Sequence, residues 1–372
     1  MKHRLPNIIL VVLFIGALTF GLARTIFLPK SVNEYENRPA NKFPAISAGA
    51  FMDRSFQEGV DSSLSDQIPF SESLKKLYND INSAYLKFVT DPLRASNRNK
   101  YMEMMGMKIF DGEYFCKKMF SLDDKKTQID SCIATINSAL SRSPDVKAYG
   151  YYVEKDEDLD LTTGERSGGY EYIKEKIALD RFERFEVDSA DTYKQIFFKT
   201  DHHWNKDGSY KAYTELLKLL EIDEAPIVPN GTKVLTEEFS GAYAKGKGIA
   251  GYYERLTVNT FDYSPQEIYI NGEKTDKYGR SDTDFSYGGW YGADKGLTVF
   301  KNDAPDKENL LVIGDSYDNA VLELLSAHCN SLHSVDPRYN KEFLLSDYIE
   351  EHDIDKVLFI GCIDFYAEDK NI

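Results

Sequence analysis

The stretch "NLLVIGDSYDNAVLELL", Asn309 to Leu325, passes from an apolar run through Gly314-Asp315-Ser316 directly into a helical pattern. A continuously apolar run bounded by a turn is what a strand buried on both faces requires. Other segments repeat the theme. "VKAYGYYV" (146–153), "YKQIFF" (193–198), "SLHSV" (331–335) and "KVLFIG" (356–361) read as strands. "DGSYKAYTELLKLL" from near Asp207, a segment from about Asp318 to Ala327, and "KEFLLSDYIEE" (341–351) read as helices. Such alternation predicts an α/β domain over 145–372, built on a mostly parallel sheet flanked by helices. Between about Asp223 and Asp306 the chain is rich in Gly and Tyr with weak helical periodicity. This part reads as a loop-and-strand insertion forming a substrate-facing rim.

Ligands of open α/β sheets lie beyond the carboxyl ends of the strands, so Ser316 falls where chemistry is expected. The following helix start offers free N–H groups to a developing oxyanion. Alone, Gly-Asp-Ser is most often a turn or a cap. A second stretch changes its weight: "FFKTDHHWNKDGSYKAY", Phe197 to Tyr213, holds two of the six histidines of the chain side by side. A serine hydroxyl is a poor nucleophile until a base takes its proton, and that base needs a partner to hold its tautomer. With an extended backbone, the spacing of two projects Asp201 and His203 to one side and His202 to the other. The reading is Ser316 as nucleophile, His203 as base, Asp201 as its orienter and His202 as a neighbour. His328 and His333 are rival bases, at positions where histidine more often packs. His202, Trp204 and Trp290, the last within "SYGGWYGADKG" (286–296), are candidate substrate contacts, although core packing explains the tryptophans nearly as well.

The first thirty residues differ from the rest. Lys2 and Arg4 precede a run from Ile8 to Leu22 with no charged residue, and apolar character resumes at Ile26 to Leu28. Residues 1–30 read as a signal anchor or a signal peptide, the anchor preferred because "GALTFGLA" is a poor cleavage site. The positive-inside rule keeps Lys2 and Arg4 in the cytoplasm and sends the bulk of the chain out. Residues 31–44 are a polar linker. Residues 45–144 read as a helical lead-in packing on the main domain: Leu74, Leu77, Tyr78, Ile81, Tyr85 and Phe88 share a helix face, and Pro69 breaks the run.

A net charge of -16 argues against nucleic acid, whose phosphates need clustered Lys and Arg. Four cysteines (Cys116, Cys132, Cys329, Cys362) permit two disulfides, but a domain of this size needs none, so they read as structural. The 25 tyrosines suit a surface that touches sugars, and packing accounts for them as well.

"TDHHW" (200–204) with a later "GDSY" (314–317) resembles the DHHW family of membrane-anchored proteins, itself similar to alginate O-acetyltransferases and SGNH hydrolases. The resemblance extends to "ENR" (36–38), "DQIPF" (66–70), "GSYKAY" (208–213) and "VDPRY" (335–339). It implies an SGNH-hydrolase-like fold and a triad of Ser316, His203 and Asp201. It also implies an extracytoplasmic O-acetyltransferase or acetylesterase acting on a cell-surface polysaccharide. The acetyl donor would come from a membrane partner protein, since nothing resembles a coenzyme A site, and no cofactor is implied. The order of motifs is reversed relative to secreted SGNH esterases, with histidine before serine. The usual oxyanion glycine and asparagine find no secure match; Asn319 and Gly361 are candidates beside the Ser316 N–H. Two other readings stand: a non-catalytic glycan-binding protein of the same fold, and a metal-dependent phosphoesterase, because "DHH" also marks such enzymes. The latter needs further Asp and His ligands at strand ends, and upstream only His3 remains.

Overall fold

In a computed structural model of the chain, the structure describes residues 4–372 except 31, 34–37, 53, 72, 75, 76, 79, 80, 82–99, 105, 248, 250, 251, 369 and 371. The chain divides into two compact units, Met1–Lys87 and Phe88–Ile372. Tyr85, Phe88, His3 and most of "ENR" lie outside the described residues or their described side chains.

In the first unit a helix spans Arg4–Phe27, followed by β1 (Val32–Asn33), β2 (Arg38–Pro39) and helices Ala48–Met52 and Ser55–Gln67. Ile9 to Ile15, Leu18, Phe20 and Leu22 all lie more than half exposed on the first helix. Among the described residues no helix is long and apolar enough to cross a membrane. Asp66 and Gln67 of "DQIPF" are buried pins. The Gln67 amide donates to the carbonyls of Lys30 (3.1 Å) and Asn41 (2.9 Å), and Asp66 accepts from Asn41 N–H at 2.8 Å. The helix stops at Gln67, just before Pro69, as the ring and its missing N–H demand. Leu74, Leu77, Tyr78 and Ile81, expected to pack, are each more than half exposed.

The second unit opens with a three-stranded antiparallel sheet, β3 (Tyr101–Met104), β4 (Met107–Phe110) and β5 (Tyr114–Cys116), where only helix was expected. Helix Leu122–Leu140 follows. The main sheet has eight strands in the order β11-β10-β12-β14-β13-β15-β6-β7. Five of them run parallel: β6 (Lys147–Val153), β7 (Arg181–Phe185), β13 (Asn309–Gly314), β14 (Ser331–Val335) and β15 (Lys356–Gly361). The other three come from the insertion and run antiparallel: β10 (Glu267–Ile270), β11 (Glu273–Thr275) and β12 (Leu297–Lys301). The sheet is therefore mixed. The insertion is part of its edge as well as a rim, and adds a hairpin of β8 (Gly231–Phe239) and β9 (Glu254–Thr260).

Two apolar layers explain the unbroken hydrophobic runs. On β13, Leu310 and Val312 join the layer containing Tyr213 and Leu216 of helix Lys206–Leu219, whereas Leu311 and Ile313 join the layer under helix Leu122–Leu140. Period-two alternation between two covered faces leaves few positions for a polar residue. "YKQIFF" is not a strand. Ser189 caps a helix Ala190–Ile196 by accepting from Thr192 N–H, and Tyr193, Ile196 and Phe197 then share one helical face. All four cysteines are free thiols in the interior.

Candidate active site

Strand β13 ends at Gly314, and the next two residues turn. Asp315 fixes that turn: its carboxylate accepts from the backbone N–H of Tyr317 and of Cys362, both at 3.1 Å. Ser316 is thus held at the carboxyl edge of the sheet by a side chain that does not itself reach the hydroxyl. Burial raises the Asp315 pKa above the usual carboxylate range.

"DHHW" reaches the same edge by a different device from the extended strand expected. Residues 201–203 form a bend in which Asp201 Oδ1 accepts the His203 backbone N–H at 3.0 Å, an Asx turn. The turn, not strand alternation, brings Asp201 and His203 together. It also leaves the His202 and His203 rings 3.9 Å apart, where opposite directions were expected. The Ser316 hydroxyl donates to His203 Nε2 at 2.8 Å, and His203 Nδ1–H donates to Asp201 Oδ1 at 2.7 Å. Asp201 Oδ2 accepts from Ala242 N–H at 2.6 Å. That contact requires Gly241, where a Cβ would come within 2.3 Å of the Asp201 Cβ. Burial alone would raise the Asp201 pKa, but the charge and hydrogen bond of His203 outweigh it and hold Asp201 ionised well below its ordinary range.

The surroundings fix this arrangement. Glu254 accepts from the N–H groups of Lys199 (3.0 Å) and Thr200 (2.8 Å), clamping the approach to the bend. The Tyr317 hydroxyl donates to the His202 carbonyl at 2.6 Å, tying the serine turn to the histidine turn. Tyr287, from a short helix Tyr287–Tyr291 in the insertion, lies flat on His203 with centroids 3.9 Å apart and planes 9° apart. None of Glu254, Tyr317 or Tyr287 was singled out for these roles by sequence reasoning. Their signal was only proximity in sequence to Gly-rich turns and to the two motifs.

The remaining expected residues fall as follows. Among the described residues no acceptor takes the Ser316 N–H, so it stays available. Asn319 faces the site, but its Oδ1 accepts from Tyr278 (2.8 Å) and one N–H is given to Asp294 (2.9 Å), leaving a single donor. Gly361 pairs with Tyr152 in the ladder, and a Cβ there would lie 2.4 Å from Phe365 and 2.7 Å from Asp315. Its role is close packing. His202 lines a cavity beside Ser316; burial, and next the charge of His203, hold its pKa well below the ordinary value, so it is neutral. Trp204 is fully buried against Phe185 and Tyr317, ring centroids 5.1 Å away in each case, and cannot touch substrate. Trp290 packs against the core with the Arg280 guanidinium 5.6 Å over its ring, and lines neither cavity at Ser316. The rival bases are engaged elsewhere: His328 between Tyr213 (2.6 Å) and Glu224 (2.9 Å), His333 between Tyr348 (2.7 Å) and Ser331 (3.0 Å).

Two cavities share Ser316 as a wall. One, of about 300 Å³, is lined by His202, Tyr317 and several basic side chains. The other, of about 270 Å³, lies on the His203 side, under Tyr287 and Asn319. Asp201, His202 and His203 also offer ligand atoms within 4.8 Å of one another, a possible cation set. Coordination by His203 would cost one of its two hydrogen bonds, because both ring nitrogens are in use.

No family model matches the sequence, and no curated protein does. Solved structures do match. Bacillus cereus PatB1, solved with a sulfonyl adduct, is 17% identical, covers 72% of this chain and 99% of its own, and superposes with a TM-score of 0.57. A DHHW family protein from Eubacterium siraeum is 18% identical, with 72% and 94% coverage and a TM-score of 0.58. This fold is shared with a DHHW family protein. The O-acetyltransferase domain of Pseudomonas putida AlgJ also matches over 72% of the chain, at 10% identity and a TM-score of 0.41. At such identities the likeness is one of fold.

Proposed function

We propose that this chain is an extracytoplasmic O-acetyltransferase or acetylesterase that acts on a cell-surface polysaccharide through Ser316, His203 and Asp201. The observation that carries the reading is the unbroken hydrogen-bond relay from Ser316 Oγ through both nitrogens of His203 to a buried, ionised Asp201. In the scheme, His203 Nε2 takes the Ser316 proton as Oγ bonds to the acetyl carbonyl carbon. The tetrahedral oxyanion is held by the Ser316 N–H and by the remaining Asn319 N–H. His203 then passes its proton to the departing alcohol as the old ester bond breaks, leaving acetyl-Ser316. A sugar hydroxyl, for a transferase, or water, for an esterase, gives its proton to His203 and attacks the acetyl group; Ser316 recovers the proton as it leaves. Asp201 holds the imidazole tautomer and stabilises its cationic form throughout. PatB1, which shares the fold, was solved with a sulfonyl adduct.

The supporting experiment is hydrolysis of p-nitrophenyl acetate by the purified chain in the presence of a chelator. Ser316→Ala and His203→Ala are each expected to lower kcat/KM by at least about a thousandfold, and Asp201→Asn by somewhat less. Wild-type rates in both alanine variants, or turnover only with added metal, would reject the reading in favour of the cation-dependent one. Binding of glycan with no turnover would support the non-catalytic one.

A further inference from the structure

The cavity of about 300 Å³ at Ser316 is lined by five basic side chains, Lys117, Lys155, Arg338, Lys341 and Lys370 among them all. Its volume is at the lower end of small-molecule sites, about 300–1,000 Å³. This concentration is not background composition, because the chain has 45 Lys and Arg against 61 Asp and Glu. The wall also carries four acids, Asp315, Asp336, Asp364 and Glu368, of which three are engaged, Asp336 by Arg338 of the same wall. Asp364 pairs with Lys125 at 2.8 Å from outside the cavity, Asp336 with Arg338 at 2.6 Å, and Asp315 is spent on two backbone N–H groups. Lys370, by contrast, meets the carbonyls of Phe365 and Glu368 and lies 4.1 Å over the Phe365 ring, with no ion pair among the described residues.

Lys155 is almost fully buried, ion-paired with Glu157, yet still forms part of the wall. Lys117, 3.2 Å from the same Glu157 carboxylate, has its pKa lowered by burial and next by the charge of Lys155. The two ammonium groups repel one another across Glu157, with Asp156 3.9 Å from Lys155 and Asp364 4.0 Å from Lys117 as further carboxylates. Charge this close acts within a Debye length of about 8–10 Å, so the negative charge of the molecule as a whole does not cancel it.

Resting on the acyl-transfer reading, we infer that this cavity is an anion subsite, binding a carboxylate or phosphate carried by one of the two partners in the reaction at Ser316. Such a group would take charge-assisted hydrogen bonds from Lys117 and Lys370 and so set the reacting carbonyl or hydroxyl against Oγ.

Calorimetry on the full-length chain at low ionic strength, with inorganic phosphate and with glucuronate as probes, tests the subsite without requiring turnover. Millimolar binding of at least one probe is expected, weakened about tenfold in Lys370→Gln and in Lys117→Gln, the loss of one charge-assisted bond. Lys117→Arg should restore most of it. Lys370 makes no ion pair among the described residues, so its variant keeps the test valid if Lys117→Gln disturbs the Glu157 pair. Heat from neither probe, or equal affinity in both glutamine variants, would overturn the proposal. Two kinetic arms then name the source. Faster decay of acetyl-Ser316 with a uronate-bearing oligosaccharide than with its neutral counterpart puts the anion on the acceptor. Faster acylation by acetyl phosphate than by p-nitrophenyl acetate, lost in Lys370→Gln, puts it on the donor. Binding without preference in either arm would mean an adventitious ion only, and would also overturn the proposal. Absence of acetyl-Ser316 under all conditions would instead count against the acyl-transfer reading, with calorimetry still reporting on the cavity.

Discussion

Tyr287 comes from a stretch 84 residues beyond His203 in the chain, yet its ring covers the imidazole in near-parallel contact at 3.9 Å. Stacking of this kind is worth about 0.5–1.5 kcal/mol beyond the area it buries, and an aromatic face stabilises the cation that His203 becomes during transfer. Tyr287→Phe is therefore expected to retain ester turnover within a few-fold. Tyr287→Ala should lower kcat by a few-fold to about tenfold. Equal rates for the two variants would show that the ring is merely packing. The Asp201–His203 pair teaches a related lesson. Its members could be chosen from the sequence because catalytic bases need acidic partners, but the device that joins them, an Asx turn reinforced by Ala242 N–H, could not. The local reading assumed strand geometry, and the aspartate side chain overrode it by competing for a backbone donor.

Elements were legible where apolar periodicity was unbroken. β6, β13, β14 and β15 coincide with the runs that predicted them, because strands covered on both faces are mostly apolar; the polar residues of β14, Ser331, His333 and Ser334, each hydrogen-bond another side chain. β7, "RFERF", was missed: its position at the sheet edge exposes Arg181 and Glu183 and hides the strand signal. "YKQIFF" was misread because a short helix with three aromatic or branched residues resembles a strand when its Ser189 cap is overlooked. β14 carries a measurable consequence. His333 is buried, and burial, followed by the charges of His352 and Lys301, brings its pKa down to about 4. Its neutral form is therefore favoured in the fold, while the unfolded chain takes up a proton near 6.5. Stability from this residue is complete above about pH 6.5 and is lost as pH falls toward 4, by up to about 3 kcal/mol. Urea-denaturation midpoints measured across that window should fall steeply for the wild type and less steeply for His333→Gln. Parallel slopes would contradict the assignment. Asp158, which burial pushes up to about 7, contributes in the opposite sense, so the comparison between variants is the informative one.

At the scale of the molecule, the sequence indicated an α/β sheet and a serine-histidine site but not the mixed character of the sheet. Gly- and Tyr-rich segments have too weak a periodicity to reveal that β10, β11 and β12 extend it, or that the same insertion delivers Tyr287 to His203. Among the described residues no helix is long and apolar enough to cross a membrane; from Lys2, Arg4 and the uncharged run Ile8 to Leu22, residues 1–30 are proposed to hold the chain at a membrane with the second unit outside the cytoplasm. Recovery of the full-length chain in the soluble cytoplasmic fraction would reject that proposal; extraction only by detergent is the expected outcome. The relay from Ser316 to Asp201 is the centre of the account, and its chemistry leaves a covalent trace. The most direct measurement is mass spectrometry of the chain quenched in acid during turnover of p-nitrophenyl acetate. The account predicts one acetyl group per chain, on the peptide that contains Ser316, absent in Ser316→Ala and formed far more slowly in His203→Ala. Turnover with no acetyl group on that peptide, or with the group on another residue, would contradict it.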